Sequence, residues 1–147
     1  MKKWLVLAGL LLVIAIASLM YIGTKQPITQ PIDAGLTYEV VSTPEAMQKG
    51  LGGRSEVPHN FGMLFVFAVP NTYRIWMKDM LVPIDILWLA EDGTIIGIEE
   101  SVATSTYPQT YAPPKPVRLV LELRAGEARL KNLHVGSRIL LPTELQK

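Results

Sequence analysis

A run of nineteen residues without a charged side chain, residues 4–22, constrains this chain more than any other feature. A helix of that length rises roughly 28 Å, close to the hydrocarbon thickness of a bilayer. Trp4 and Tyr21 stand near its ends, where aromatic rings prefer the membrane interface. Two lysines precede the run and one follows it closely, which favours a cytoplasmic N-terminus. The run predicts a single-pass cell-membrane protein with an extracytoplasmic C-terminal part.

A cleaved signal peptide is the alternative to an anchor. Residues 15–17 (Ala-Ile-Ala) offer a small-x-small cleavage site after an apolar stretch. The apolar run continues to Ile22, so cleavage near Ala17 would leave apolar residues at the start of a secreted product. Either alternative predicts an exported domain.

The chain divides into three parts on this basis. Residues 1–23 form the anchor or signal segment, and the polar, proline-containing residues 24–34 are typical of a linker. Residues 35–147 have the length of one small domain.

Charge and cysteine content exclude several kinds of partner and chemistry. Residues 26–147 carry 11 basic and 13 acidic side chains, a formal charge of −2, so no basic patch favours nucleic acid. The chain has no cysteine, which excludes disulfides, thiolate metal sites and a catalytic thiol. His59 and His134 show no repeated ligand spacing with the methionines. We therefore expect neither a metal nor a cofactor.

Short alternating segments predict a mainly β domain. Residues 62–69 are apolar on both faces, so we expect a central strand there. In residues 117–124 we expect Arg118, Glu122 and Arg124 to point outward. A hydroxyl, a proline and an acid at residues 43–45 predict the start of a short helix. Seven or so strands with one or two short helices favour a small antiparallel β-sandwich or barrel-like domain.

Residues 102–116 form the longest connection, with four prolines and two tyrosines, one of them Tyr111. Structureless connections of this length are uncommon in compact domains and are often functional. A proline-stiffened crossover between strands is the alternative interpretation.

Five motifs, taken together and in this order, resemble the family called domain of unknown function 192, also known as uncharacterised protein family 0127. They are Gly50-Leu51-Gly52-Gly53-Arg54, Gly62-Met63-Leu64-Phe65-Val66-Phe67, Trp76-Met77-Lys78-Asp79, Pro83-Ile84-Asp85-Ile86, and Leu121-Glu122-Leu123 with Gly126. The resemblance spans residues 36–141 and implies a mainly-β sandwich, often exported or membrane-attached, without an established activity. The chain departs from the family pattern at Gly52, where methionine is usual, and at Asp79, where asparagine is usual.

Two carboxylates stand within apolar strands. Asp85 shares its predicted face with leucines and needs a partner, either a fold-fixing cation such as Lys78, Arg54 or Arg118, or a ligand or substrate. Glu122 is expected to form a cross-strand salt bridge. The alternative is that the two form the acid/base pair of a glycan hydrolase.

Trp76 lies between the apolar residues Ile75 and Met77. In an extended segment it shares a face with Arg74 and Lys78. An exposed tryptophan between cations would suit stacking on a sugar ring or an anionic ligand. The alternative is a buried ring with polar neighbours at the strand ends.

These features favour a binding or accessory module of the cell envelope, since the usual nucleophile, phosphate-loop and zinc-protease motifs are missing from the sequence. Its expected ligand-binding residues are Arg54, Trp76, Lys78, Asp85 and Tyr111. The expected partners are the lipid bilayer, through residues 4–22, and an envelope small molecule, glycan or membrane protein. The alternatives are a hydrolase of an envelope glycan using Asp85 and Glu122, and a structural module that docks on a membrane protein.

Overall fold

The computed structural model describes residues 30–146. Seven strands, two short α-helices and two turns of 3-10 helix make up these residues. The strands are β1 (Thr37–Val41), β2 (Phe61–Asn71), β3 (Ile75–Trp76), β4 (Ile84–Leu89), β5 (Ile95–Val102), β6 (Thr110–Tyr111) and β7 (Val117–Arg124). The helices are α1 (Pro44–Lys49) and α2 (Glu127–Leu130), and the 3-10 turns are Thr104–Thr106 and Thr143–Leu145.

The five longer strands form one mixed sheet in the order β1-β2-β7-β4-β5, while β3 and β6 pair separately. β1 runs parallel to β2, and the other neighbours are antiparallel. The prediction of a mainly β domain with few short helices is confirmed. The predicted all-antiparallel order is wrong, because α1 and residues 50–60 return the chain to the start of β2 and make β1 parallel to it. The predicted barrel-like closure is also wrong, because the sheet of residues 30–146 is open.

The predicted anchor, residues 4–22, lies outside the described residues. In the part of the chain from 30 to 146, no helix has the length and hydropathy needed to cross a membrane.

Local sequence explains where α1 begins and ends. Thr43 caps it, with Oγ1 accepting from the Ala46 N–H at 3.3 Å, and Pro44 occupies the first turn. The helix ends at Gly50, whose φ of 50° is in the left-handed region that favours glycine. The helix start predicted from residues 43–45 and the predicted short length of the helix are both confirmed.

The sheet has two buried faces. On the first face, Met63, Phe65 and Ile86 pack against α1, against the glycine turn after it (residues 50–53), and against residues 73–80, which contain β3 and are called the β3 segment here. On the second face, Leu64, Leu87 and other leucines pack against α2, the C-terminal segment and the residues leading into β1. β2, β7 and β4 are central, so their side chains are buried on both sides of the sheet except in the last part of β2, which is exposed.

Two predicted segments differ from their expected form. The connection 102–116 is not structureless, because it contains a 3-10 turn and β6, which pairs with β3. The alternation of residues 137–141 also predicts a strand, but this segment forms only isolated bridges among the described residues, Thr94 with Arg138 and Ile32 with Ile139. Its partners are single residues at the ends of other segments, which an alternation pattern does not reveal.

Candidate ligand-binding cleft

A cleft of ≈ 220 Å³ lies on the first face of the sheet, between α1, the glycine turn after it and the β3 segment. Its lining combines aromatic and apolar side chains with cations and one carboxyl group. The lining residues are Met47, Gln48, Lys49, Gly50, Leu51, Phe65, Phe67, Tyr73, Arg74, Ile75, Trp76, Lys78, Met80 and Glu122.

The glycine turn brings α1 against the β3 segment. The Gly53 N–H donates to the Asp79 carbonyl at 2.9 Å, which ties the turn to the residues just after Lys78. A Cβ at Gly50 would lie 3.4 Å from Phe65 Cζ and 3.6 Å from Glu122 Oε2. Both distances are ordinary van der Waals contacts, so glycine is favoured at this position by its φ of 50° and not by a lack of space.

Glu122 forms the polar part of the cleft floor. Its side chain projects from β7, is 5 % exposed, and Oε2 has no hydrogen-bond partner among the described residues. Burial raises the pKa of this carboxyl group to about 8, although the Arg54 charge and a hydrogen bond from the Leu51 N–H act in the opposite direction. At neutral pH Glu122 is therefore mostly a neutral acid that can donate a hydrogen bond.

Aromatic rings form one wall and part of the rim. Phe67 and Tyr73 stack with their centroids 3.5 Å apart and an interplanar angle of 9°. Trp76 is 43 % exposed, contacts Tyr107 edge-on at 6.1 Å, and has Lys78 Nζ 5.9 Å from its centroid. Of the two interpretations of Trp76, the structure has the exposed ring, with Lys78 beside it.

Arg54 lies beside the cleft and does not line it. Its Nη2 donates to Glu39 Oε1 and Oε2 at 2.9 and 2.8 Å, and its guanidinium lies 5.4 Å from the Phe61 ring centroid. Arg54 is therefore held in an ion pair beside the cleft, and its charge acts on Glu122.

Asp85 is held by main-chain hydrogen bonds on the face of the sheet opposite the cleft. Its side chain is fully buried on the second face, where Oδ1 accepts from the Ser101 and Gly126 N–H groups and Oδ2 from the Ala128 N–H. These three bonds, of 2.7, 3.0 and 2.9 Å, join β4 to the end of β5 and the start of α2. The expected cationic partner is therefore wrong, because main-chain donors satisfy this carboxylate instead.

Asp85 and Glu122 do not meet. In the β4–β7 ladder Asp85 is opposite Leu123 and Ile86 is opposite Glu122, so the two carboxyl groups point to opposite faces. They cannot flank one glycosidic bond, and the acid/base pair of a hydrolase is not formed.

The expected positions of Glu122 and Tyr111 also need correction. Glu122 is buried, not outward, and makes no salt bridge within residues 30–146. Arg118 instead donates to the Phe67 carbonyl at 2.9 Å. Tyr111 pairs with Ile75 through the main chain and packs on the core without lining the cleft.

The structure brings Trp76, Lys78 and Glu122 together and adds residues that the sequence did not single out. Lys49 and Met47 come from α1, Phe67 comes from β2, and Tyr73 comes from the connection between β2 and β3. The glycine turn and the lone acid in an apolar strand can be recognised from the sequence, but the sequence does not show that they lie close together.

The described residues contain no group of three or more His, Asp or Glu side chains placed to hold a metal ion. The residues that line the cleft supply one buried carboxyl group, cations and aromatic rings.

The two departures from the motif pattern have local explanations. A Cβ at Gly52 would lie 2.8 Å from the Lys49 carbonyl oxygen, so a side chain there would require the turn to shift. Asp79 has a φ of 58°, a conformation that asparagine and aspartate adopt more readily than most residues.

Comparison with solved structures finds the same fold elsewhere. A protein from Sinorhizobium meliloti 1021, proposed to be a transcription regulator, has 34 % identity and a TM-score of 0.67, covering 70 % of this chain and 79 % of that one. A protein of unknown function from Novosphingobium aromaticivorans DSM 12444 has 24 % identity and a TM-score of 0.67, covering 72 % and 75 %.

No curated protein sequence matches the chain. The family model DUF192, described as uncharacterized ACR, matches residues 27–141. This match includes all five motifs, four of which contribute residues to the cleft. The chain therefore belongs to the DUF192 family.

Proposed function

We propose that this chain is a small-molecule binding module held at the outer face of a membrane by residues 4–22, with the cleft beside Glu122 as its binding site. The observation that carries the proposal is a buried carboxyl group at the floor of the cleft, one oxygen of which has no partner in the part of the chain that the structure describes. A buried polar atom without a partner is costly and rare in native proteins, and a ligand would satisfy it.

The surroundings of Glu122 support a binding site over a packing defect. Convergent polar groups in an apolar, aromatic-lined concavity are typical of small-molecule sites. A carboxyl group whose pKa is displaced by burial is also a recognised marker of functional sites.

The motifs supply a second argument. Four of the five motifs that carry the family resemblance contribute lining residues, among them Leu51, Phe67, Lys78 and Glu122. The remaining motif, Pro83-Ile84-Asp85-Ile86, contains Asp85, whose Oδ1 accepts from the Gly126 N–H at 3.0 Å on the opposite face. The motifs thus divide into residues that form the cleft and residues that fix the sheet behind it.

Nucleic acid is not the proposed ligand. Regulation of transcription is proposed for the S. meliloti protein, and binding of DNA draws most of its affinity from clustered basic side chains. Residues 26–147 of this chain have a formal charge of −2.

Binding at the cleft is expected to depend on Trp76 and Lys78. In a calorimetric screen of envelope sugars, peptidoglycan fragments and small organic anions, using the full chain in lipid nanodiscs, we expect Trp76→Ala and Lys78→Ala to weaken binding by about tenfold each, because each removes one exposed contact. Leu130→Ala and Lys115→Ala are matched controls, since both residues are exposed and neither lines the cleft. The proposal fails if no compound binds the wild type, or if the controls lose as much affinity as the cleft variants.

Docking on a membrane protein is a second candidate, favoured by the exposed Trp76–Tyr107 pair. It predicts that Tyr107→Ala disrupts an isolated complex while Glu122→Gln does not, because Glu122 is not accessible to a protein surface. The reverse pattern, an intact complex in Tyr107→Ala with loss of ligand affinity in Trp76→Ala and Lys78→Ala, supports the cleft.

Export and anchoring can be tested because the natural chain has no cysteine. Ser55→Cys places a single thiol on an exposed loop outside the cleft. We expect a membrane-impermeant maleimide to label this variant in spheroplasts with an intact plasma membrane, and the labelled chain to pellet with membranes. Labelling only after lysis would contradict export, and a labelled chain in the soluble fraction would contradict the anchor and support cleavage.

A further inference from the structure

We infer that the ligand of the cleft is a small organic anion with an apolar body of about one ring and a hydrogen-bond acceptor at its buried end. This inference rests on the proposed binding function and adds the chemical class of the ligand. Three independent features of the cleft carry it: its size, the charges at its rim and the polar group at its floor.

The size and walls of the cleft define the body of the ligand. A volume of ≈ 220 Å³ is below the roughly 300–1,000 Å³ of sites for drug-sized ligands. The stacked Phe67 and Tyr73 rings, with Phe65 and Met80, provide flat apolar surface. A single aromatic ring or a short branched chain matches both the volume and the surface.

The rim favours a negative charge. Lys49, Arg74 and Lys78 line the cleft from α1 and the β3 segment, and none of them takes part in a salt bridge among residues 30–146. Arg74 Nε is held at 2.6 Å from Thr110 Oγ1, which fixes one of the three. Three cations without acidic partners around one opening attract an anion and repel a cation.

The floor favours a neutral acceptor. Glu122 Oε2 is buried and has no partner within residues 30–146, and burial raises the pKa of the carboxyl group to about 8, which keeps it mostly protonated at neutral pH. A protonated carboxyl group has one O–H to donate, and a ligand carbonyl or hydroxyl oxygen can accept it. An ammonium group at this position would have to pass three cations and lie near Arg54, which already acts on Glu122.

Three matched probes separate these requirements. 4-Acetylbenzoate has the anionic group, the ring and the acceptor; 4-isopropylbenzoate lacks only the acceptor; 4-acetylbenzamide lacks only the charge. By calorimetry on the full chain in lipid nanodiscs, we expect 4-acetylbenzoate to bind, and each of the other two to bind about tenfold more weakly.

Protonation of Glu122 provides a readout that a simple shape effect would not give. We expect the affinity for 4-acetylbenzoate to fall as pH rises from 6 to 9 in the wild type, because ionised Glu122 cannot donate. Glu122→Gln keeps a neutral donor, so its affinity should stay within about threefold of the wild type at pH 6 and should not fall by pH 9.

The charged groups that face Glu122 do not replace it in this test. They are Lys49 from α1, Arg54 from the turn, which is paired with Glu39 of β1, and Arg74 and Lys78 from the β3 segment. The residues opposite it on β2 and β4, Met63 and Ile86, carry no charge. All of these groups are present in both proteins, so a difference between the two pH profiles reports Glu122 alone.

The outcomes distinguish this inference from the proposed function. Equal or tighter binding of the amide or the isopropyl compound, preferential binding of the zwitterion 4-(aminomethyl)benzoate, or identical pH profiles for wild type and Glu122→Gln would overturn the anionic-acceptor class. In each of those cases binding at the cleft would stand. Absence of binding by all four probes and by every compound of the wider screen would overturn both.

Discussion

Asp85→Asn is expected to lower the free energy of unfolding by about 3–5 kcal/mol, because it disrupts a buried carboxylate that three main-chain donors use as their acceptor. An asparagine side chain has a single acceptor oxygen. Its amide N–H₂ would face at least one main-chain N–H, so one donor from Ser101, Gly126 or Ala128 is left without a partner. The lost stability has two parts. One is the cost of burying a main-chain N–H group without a partner, and the other is the loss of charge-assisted hydrogen bonds to the carboxylate.

The measurement is urea denaturation of the full chain in lipid nanodiscs, with amide hydrogen exchange as a local readout. Exchange should accelerate first at Ala128 and Gly126, since Asp85 replaces the side-chain cap that α2 lacks at Gly126. Asp79→Asn is the matched control: Asp79 is exposed in a left-handed turn, and its substitution should change stability by no more than about 0.5 kcal/mol. A loss below about 1 kcal/mol at Asp85 would show that these three bonds do not stabilise the fold as argued.

Asp85 also shows how far the sequence reaches. The period-two pattern correctly placed its side chain on the face of Leu87 and Leu89, and the cost of a buried charge correctly required a partner. The partner was predicted to be a cation, but it consists of N–H groups from residues up to 43 positions away. Main-chain donors have no residue type, so the sequence holds no signal for them.

For Glu122 the error lies in the predicted burial and not only in the predicted partner. Its neighbours Arg118 and Arg124 suggested a solvent face, but β7 lies between β2 and β4, and both faces of the sheet are covered near Glu122. Alternation distinguishes two faces and does not say which of them is exposed. The same limit explains the parallel β1–β2 pair: the strands were visible locally, whereas their direction depends on how α1 and the glycine turn return the chain.

The unfolding free energy of the wild type is expected to decrease from pH 5 to pH 8 relative to that of Glu122→Gln. Burial raises the pKa of Glu122 from its ordinary value of 4.5 to about 8, so between these values the folded chain holds a proton that the unfolded chain has released. Stability then falls as pH rises through this window and levels off above pH 8. The glutamine variant has no such proton, so its advantage should grow with pH, up to about 5 kcal/mol for a shift of this size.

Urea denaturation at pH 5, 6, 7, 8 and 9 measures this difference directly, because the other titrating groups are common to both proteins and cancel. Glu99→Gln, at an exposed position on β5, controls for the loss of a carboxylate from the sheet and should run parallel to the wild type. Parallel curves for wild type and Glu122→Gln would mean that Glu122 is ionised in the folded chain, and the neutral donor at the cleft floor would be lost. Stability curves that diverge with pH would establish that the buried carboxyl group of Glu122 lowers the stability of the folded chain. A ligand that bonds to Glu122 would offset this loss.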